Sequence, residues 1–268
     1  MSQPLPLPFD VALATRWLGQ PLLFRDEVDS TNRQLRQLAE GGAAGVGAVL
    51  ISDFQWGGRG RRGRGWQAPR GSALLLSALL PVPTMVPLTL LPIAVAVAVA
   101  EGVEAQGEAA IQLKWPNDLL VGGKKVGGIL IESAVSSAGQ ALLVVGIGIN
   151  VNQRPAAFDA LPAATSLYAA LGTEVPRGPL LAAVLAALEQ RWDDLQAGWQ
   201  PHAAWRRRAV ALGAAITVHG AAGPTWSATL RDLHHDGRLY VEDEAGRGHL
   251  LDAQEVSVRA VTADLDRL

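Results

Sequence analysis

Five short stretches of this chain carry residues whose types and spacing suit one kind of chemistry. The densest is Gly57-Gly58-Arg59-Gly60-Arg61-Arg62-Gly63-Arg64-Gly65-Trp66. Its glycines let the backbone approach a ligand and present N–H groups to it. Its arginines stay charged and offer forked donors to phosphate or carboxylate oxygens. Alone, such a stretch also reads as a flexible Gly/Arg segment that touches RNA or sits in water. Its place between two apolar, strand-like runs favours a small polyanionic ligand instead.

The second stretch is Lys114-Trp115-Pro116-Asn117-Asp118, in which Pro116 takes the chain out of a strand and Asn117-Asp118 supplies turn chemistry. The third, Lys124 to Glu132, brings a lysine into an apolar strand ahead of Gly127-Gly128. That pattern suits an ammonium beside a ligand packed on bare backbone, or an edge-strand charge that blunts pairing. In the fourth, Gly146-Ile147-Gly148-Ile149-Asn150-Val151-Asn152, small residues alternate with large ones and leave one strand face open. The fifth, Asp29-Ser30-Thr31-Asn32, is a helix start with polar side chains to spare. Together they offer fixed positive charge, bare backbone, polar groups and an aromatic. None contains histidine or cysteine, and all five histidines lie between 202 and 249. A catalytic triad and a His-rich metal site are therefore not expected. The chemistry implied is positioning and electrostatic stabilisation, as in phosphoryl or nucleotidyl transfer.

Composition agrees. The 268 residues are 49% hydrophobic and 18% charged, a globular balance that excludes a disordered chain. A net charge of −2 gives no bulk affinity for nucleic acid or anionic membrane. Zero cysteines exclude disulfides and thiolate metal sites and fit a reducing compartment. Among 23 basic residues only Lys114, Lys124 and Lys125 are lysine, all within one stretch, which marks 114–125 as a site.

The elements that must position these residues can be read from hydrophobic period and breakers. A short helix is expected at 10–18, a strand at 22–28, and a helix at 32–40 capped by Asp29 or Ser30 and ended by Gly41-Gly42. Strands follow at 47–53 and 72–80, flanking the Gly/Arg loop of 54–71. The uncharged run 71–100 is broken by Pro81, Pro83, Pro87 and Pro92 into a strand, a loop and a helix at 88–105, so it reads as core and not as a membrane span. Strand-like runs at 111–115, 119–121, 125–132 and 141–149 follow, with Gly122-Gly123 as a hairpin turn. An amphipathic helix at 178–197 shows Leu180, Leu181, Val184, Leu185, Leu188, Trp192 and Leu195 on one face. Short alternating segments at 213–261 suggest a small all-β barrel beyond a boundary near 205–212. No leader is expected at Met1 to Phe9, and no internal repeat is visible.

These motifs, in this order and spacing, resemble those of the biotin protein ligases, over about residues 20–262. The resemblance implies an α+β fold: a mixed sheet with helices packed on it in a catalytic domain (1–208), followed by an SH3-like β-barrel (209–268). It implies a cytoplasmic ligase that joins biotin and ATP as biotinyl-5′-AMP with Mg2+. That enzyme then biotinylates a lysine of the biotin carboxyl carrier domain of a carboxylase. By motif position, Ser30, Thr31, Asn32 and Gln55 would bond the polar ring of biotin. Trp66, Gly127 and Gly128 would line the ligand, and Gly58, Arg59, Gly60 and Arg61 would close over it. Lys125, Arg59 and Arg61 would be catalytic, with Lys125 bridging the carboxylate and the α-phosphate. Arg61, Arg62, Trp66, Asn117, Asp118, Lys125 and Asn150 would hold ATP or the adenylate, with Asp118 near Mg2+. A homodimer through an exposed sheet edge is compatible with the resemblance. About 20 residues precede the first strand, too few for the DNA-binding domain some members carry, so no DNA partner is expected. Gln55-Trp56-Gly57 stands where many members of the family have Gln-Gln-Ala or Gln-Thr-Ala before the loop, and Trp56 covers either the ligand or a partner surface. The related lipoate–protein ligases and octanoyltransferases, and a nucleic-acid module using the Gly/Arg loop, are the competing readings.

Overall fold

The computed structural model describes residues 8–107, 109–220, 224–253 and 256–260. The expectation of no leader in the first nine residues therefore falls largely outside the described residues, as do 221–223, 254–255 and 261 of the expected β segments at 213–261.

Among the described residues, twelve strands and five α-helices follow in chain order. They are β1 (Leu22–Val28), α1 (Thr31–Glu40), β2 (Val49–Gln55), β3 (Ala73–Pro81), α2 (Leu91–Glu104), β4 (Gln112–Lys114), β5 (Asp118–Val121), β6 (Lys124–Val135) and β7 (Ala141–Asn150). Then come α3 (Leu167–Leu171), α4 (Arg177–Gln196), α5 (His202–Arg206), β8 (Ala215–Gly220), β9 (Trp226–Leu233), β10 (Leu239–Asp243), β11 (Gly248–Leu251) and β12 (Val256–Ala260). The first seven strands form one mixed sheet in the order β1-β2-β3-β7-β6-β5-β4. Only β1 and β2 run parallel, joined through α1, and the remaining pairs are antiparallel. Two layers pack on this sheet because β3 and β7 alternate apolar residues to both faces. One face takes α2 and α4, whose expected stripe from Leu180 to Leu195 is buried throughout. The other takes α1 through Leu35 and Ala39, against Leu50, Leu79 and Val144. The uncharged run thus divides into a buried strand and a buried helix, and no helix among the described residues is long and apolar enough to cross a membrane.

Two expectations are corrected. Residues 10–18 form no helix. The Glu189 carboxylate of α4 accepts the N–H groups of Arg16, Trp17 and Leu18 at 2.8 Å each, so a side chain takes the donors a helix would have used. Those bonds outweigh the upward push of burial and, with Arg16, hold the Glu189 carboxyl below its ordinary range. The C-terminal strands form an open antiparallel sheet, β11-β10-β9-β8-β12, and not a closed barrel: among the described residues β11 pairs only with β10 and β12 only with β8. The sheet still matches the small SH3-like unit in strand content. It sits against the β4 end of the larger sheet, where Leu113 exchanges backbone bonds with Arg208 and Val210, and where Trp115 Nε1 donates to Gly237 O at 3.0 Å.

Candidate active site

All five motifs meet in one cleft over β3, β6 and β7, closed on one side by the Gly/Arg loop. The glycines of β6 and β7 make its floor. Gly128 pairs with Gly148 across the two strands. A Cβ on Gly148 would stand 2.8 Å from the Trp66 ring, and one on Gly146 would strike the Asn32 amide. Bare backbone is therefore what lets a helix side chain and a loop indole lie directly on the sheet.

A bulge brings the lysine into the same space. The β5–β6 register shifts between Leu119 and Leu120, so Leu119 faces Gly127 while Leu120 faces Lys125. Without it, Lys125 and Gly128 would point to opposite faces. With it, the Lys125 stem lies 3.4 Å from the Cβ position of Gly128, and Nζ stands 5.7 Å from the Trp66 ring centre. Nζ also pairs with Asp118 Oδ1 at 2.6 Å. The Lys125 backbone is fixed by bonds to Ala163 and Thr165.

The loop is ordered by its own hydrogen bonds, from Gly60 N–H to Arg64 O and from Trp66 N–H to Gly58 O. A Cβ on Gly58 would come within 2.3 Å of Trp66 O, which is why glycine is needed there. Arg62 takes φ 57°, a left-handed conformation uncommon for a residue with a side chain. Arg61 reaches inward, donating to Asn117 Oδ1 at 3.2 Å and to Ala253 O. Burial and then the neighbouring Arg62 lower its proton affinity against the pull of Asp118; a guanidinium keeps its charge regardless. Asn117 in turn donates to Ile129 O at 2.8 Å, tying the Pro-Asn-Asp turn to β6.

At the far end, Ser30 is the N-cap residue of α1, but its hydroxyl makes no capping bond. Gln55 of β2 does that work: its Oε1 accepts from Thr31 N–H at 2.7 Å and from the Thr31 hydroxyl at 3.0 Å. The Asp29 carboxylate accepts from Ser30 N–H, Gln34 and Arg33. Although burial opposes it, those bonds lower the Asp29 pKa. Capping by neighbours leaves the Ser30 hydroxyl at the cleft wall.

The cleft is thus lined by Ser30, Thr31, Asn32, Gln55, Arg59, Gly60, Arg61, Arg62, Trp66, Asn117, Asp118, Lys125 and Gly128, as expected of site residues. Gly58 and Gly127 are outside the lining; a Cβ on Gly127 would meet Leu119 on the opposite face. Asn150 also lies outside it and is 6% exposed. Its Nδ2 donates to Thr165 O and its Oδ1 accepts from Gln153, so it braces the segment that pins the Lys125 backbone. Trp56 is 66% exposed and lines nothing here, so it does not cover the cleft. Three contributors had no signal of their own in sequence. Ser77, buried on β3, donates to Asn32 Oδ1 at 2.6 Å and its hydroxyl lies 2.8 Å from that of Thr31. Val256 and Val258 of the C-terminal sheet line the same cleft from the other side.

A cation-lined cleft on an open, glycine-floored sheet defines the class: the Biotin/lipoate A/B protein ligase family model matches residues 26–152. The chain is 37% identical over 240 residues to the biotin–[acetyl-CoA-carboxylase] ligase of Mycobacterium tuberculosis, covering 86% of each. It is 32% identical to the bifunctional ligase/repressor BirA of Bacillus spizizenii, over 95% of this chain and 76% of that one. Among solved structures it superposes on the biotin protein ligase of Aquifex aeolicus in complex with biotin and ATP, with a TM-score of 0.77, 30% identity, and coverage of 89% and 98%. The chain belongs to the biotin protein ligase family.

Proposed function

We propose that this chain is an ATP-dependent biotin–[biotin carboxyl-carrier protein] ligase working in two steps. A biotin carboxylate oxygen attacks the α-phosphorus of ATP, the bond to the β-phosphate oxygen breaks, and pyrophosphate leaves biotinyl-5′-AMP. The amine of a carrier lysine then attacks the acyl carbon, AMP departs with the bond electrons, and the nitrogen loses a proton. The family, its relatives and the structure related to it with biotin and ATP bound all support this reading.

One observation carries it: Lys125, Arg59 and Arg61 line the same cleft as an uncharged polar set of hydroxyls and amides. A carboxylate and a triphosphate repel each other, and preorganised cations lower that repulsion and stabilise the charge that builds up at phosphorus. Lys125 stands where the two anions meet, taking them in place of Asp118. Arg61 holds phosphate oxygens as the loop closes, while Arg59, whose guanidinium stands 3.9 Å from Glu132, brings its charge to the ring end. Ser30, Thr31, Asn32 and Gln55 receive the ureido ring, and Trp66 covers the ligand between ring and phosphate.

Mg2+ takes oxygen ligands and is usually held by one or two carboxylates together with substrate phosphates. Asp118, a carboxylate in the lining beside Lys125, fits that demand. When bound, the ion would neutralise phosphate charge. Residues 1–208 would carry the adenylation chemistry and 209–268 would close the cleft through β12. The partner would be a carboxylase's carrier domain, the compartment the cytoplasm, and pairing of two copies through the free edge of β1 is compatible with the fold.

The test is pyrophosphate release with each substrate withheld in turn, alongside melting curves. Release that requires both biotin and ATP, and a rise in Tm with both that lipoate and RNA do not produce, is the expected result. Release without biotin, or none at all, would overturn the reading.

A further inference from the structure

Glu132 is outside the lining of the cleft, yet side chains that build the cleft end on its carboxylate. It lies on β6 two residues beyond Leu130 and four beyond Gly128, and strand alternation gives all three the same face. Its Oε2 accepts from Asn32 Nδ2 at 2.8 Å. Its Oε1 stands 3.1 Å from the Arg36 guanidinium and 3.9 Å from that of Arg59. Asn32 and Arg36 are one turn apart on α1, whereas Arg59 belongs to the Gly/Arg loop. A single carboxylate, its side chain 21% exposed, therefore joins the helix, the sheet and the loop.

The Asn32 bond sets more than a distance. An ionised carboxylate only accepts hydrogen bonds, so the amide must turn its nitrogen toward Glu132. The second Nδ2 hydrogen goes to Leu130 O at 3.3 Å. Oδ1 is left facing Ser77, from which it accepts. Asn32 accordingly brings an acceptor and no free donor to its end of the cleft. A ureido ring carries two N–H donors, and the orientation held by Glu132 is the one that receives them.

We infer that Glu132 is a positioning residue for this reaction: it holds Asn32 as an acceptor for a ring N–H and tethers Arg59 so that the Gly/Arg loop closes at the ring end. The inference rests on the biotin reading above. It separates two effects of one side chain. E132A loses both, and a hydrogen bond to a charged group is strong enough that KM for biotin rises about tenfold or more. KM for ATP stays within about twofold, because Asp118, Asn117 and Lys125 are untouched. In E132Q the amide oxygen still accepts from Asn32, so KM for biotin returns to within about threefold of wild type. Its lost charge frees Arg59, and biotinyl-AMP leaves up to about fivefold faster, as for a partly exposed ion pair.

The experiment measures pyrophosphate release on wild type, E132A and E132Q with biotin and ATP varied separately, and the loss of labelled biotinyl-AMP in a chase. The split in KM and its rescue by E132Q are the expected result; a purely structural role would lower kcat and leave both KM values alone. A wild type without biotin-dependent release overturns the biotin reading itself. An active wild type with KM for biotin unchanged in E132A, or with both KM values rising alike, overturns the role of Glu132. E132Q matching E132A in KM overturns the amide orientation. Should E132A fail to fold, E132Q alone decides: faster adenylate loss supports the tether, and unchanged loss overturns it.

Discussion

Replacing Lys125 by alanine should stop chemistry and spare the fold. The ammonium pairs with Asp118 at 2.6 Å, but its side chain is 37% exposed, so water screens the pair. Deleting such a pair costs at most about 1 kcal/mol. In a chain of this size that lowers Tm by no more than about 4 °C. The backbone bonds of Lys125 to Ala163 and Thr165 do not involve its side chain and survive the change. Catalytically the loss is far larger: one preorganised donor removed from a site of developing charge costs about a hundredfold to a thousandfold in kcat. Arginine should not rescue it. The lysine stem lies against Gly128, 3.4 Å from where a Cβ would be, and a planar guanidinium is broader than an ammonium. The assay is pyrophosphate release at saturating biotin and ATP for wild type, K125A and K125R, with melting curves on the same preparations. K125A within about threefold of wild type would refute the reasoning. So would a drop in Tm large enough to explain the lost activity, since the ion pair would then be holding the fold.

Two further predictions test the floor and the frame. Gly148→Ala places a methyl 2.8 Å from the Trp66 ring, so the indole must move; activity should fall at least about tenfold while Tm changes little, and an unaltered rate would show that Trp66 has no fixed place in catalysis. Glu189→Gln tests the N-terminal anchor. The folded-state pKa of Glu189 lies below its ordinary 4.5, so its charge contributes stability that is fully present above about that pH and is lost as pH falls through the folded value. Denaturant titrations should show E189Q less stable than wild type by about 1–2 kcal/mol at pH 7, with the gap closing as pH falls below about 4.5. A gap independent of pH would contradict this.

The order of elements and most of the site were legible because both are local. Gly122-Gly123, the periodic face of α4, and the crowding of arginine, glycine and Lys-Trp-Pro-Asn-Asp each carry their meaning in adjacent residues. What escaped reading depends on distant partners. Ser77 interrupts the apolar run of β3 with one hydroxyl, which only the arrival of Thr31 and Asn32 from α1 turns into a brace. Glu132 ends the Lys124 to Glu132 stretch as one more polar residue, and only the two arginines and the asparagine that reach it from the loop and from α1 give it a place in the site. The resemblance sets Asn150 at the nucleotide, whereas its amide bonds within the protein, to Thr165 O and Gln153. The expected helix at 10–18 failed for the same reason, since local propensity could not register the Glu189 carboxylate that takes its N–H groups. The contribution of Val256 and Val258 needed the packing of the second sheet against the first.

The most direct measurement of the central claim is mass spectrometry of a biotin carboxyl carrier domain after incubation with this protein, biotin and ATP. The account predicts the mass of one biotinyl group on a single carrier lysine, absent when either biotin or ATP is withheld and absent with K125A. A carrier of unchanged mass under complete conditions, or one modified equally without ATP, would contradict it.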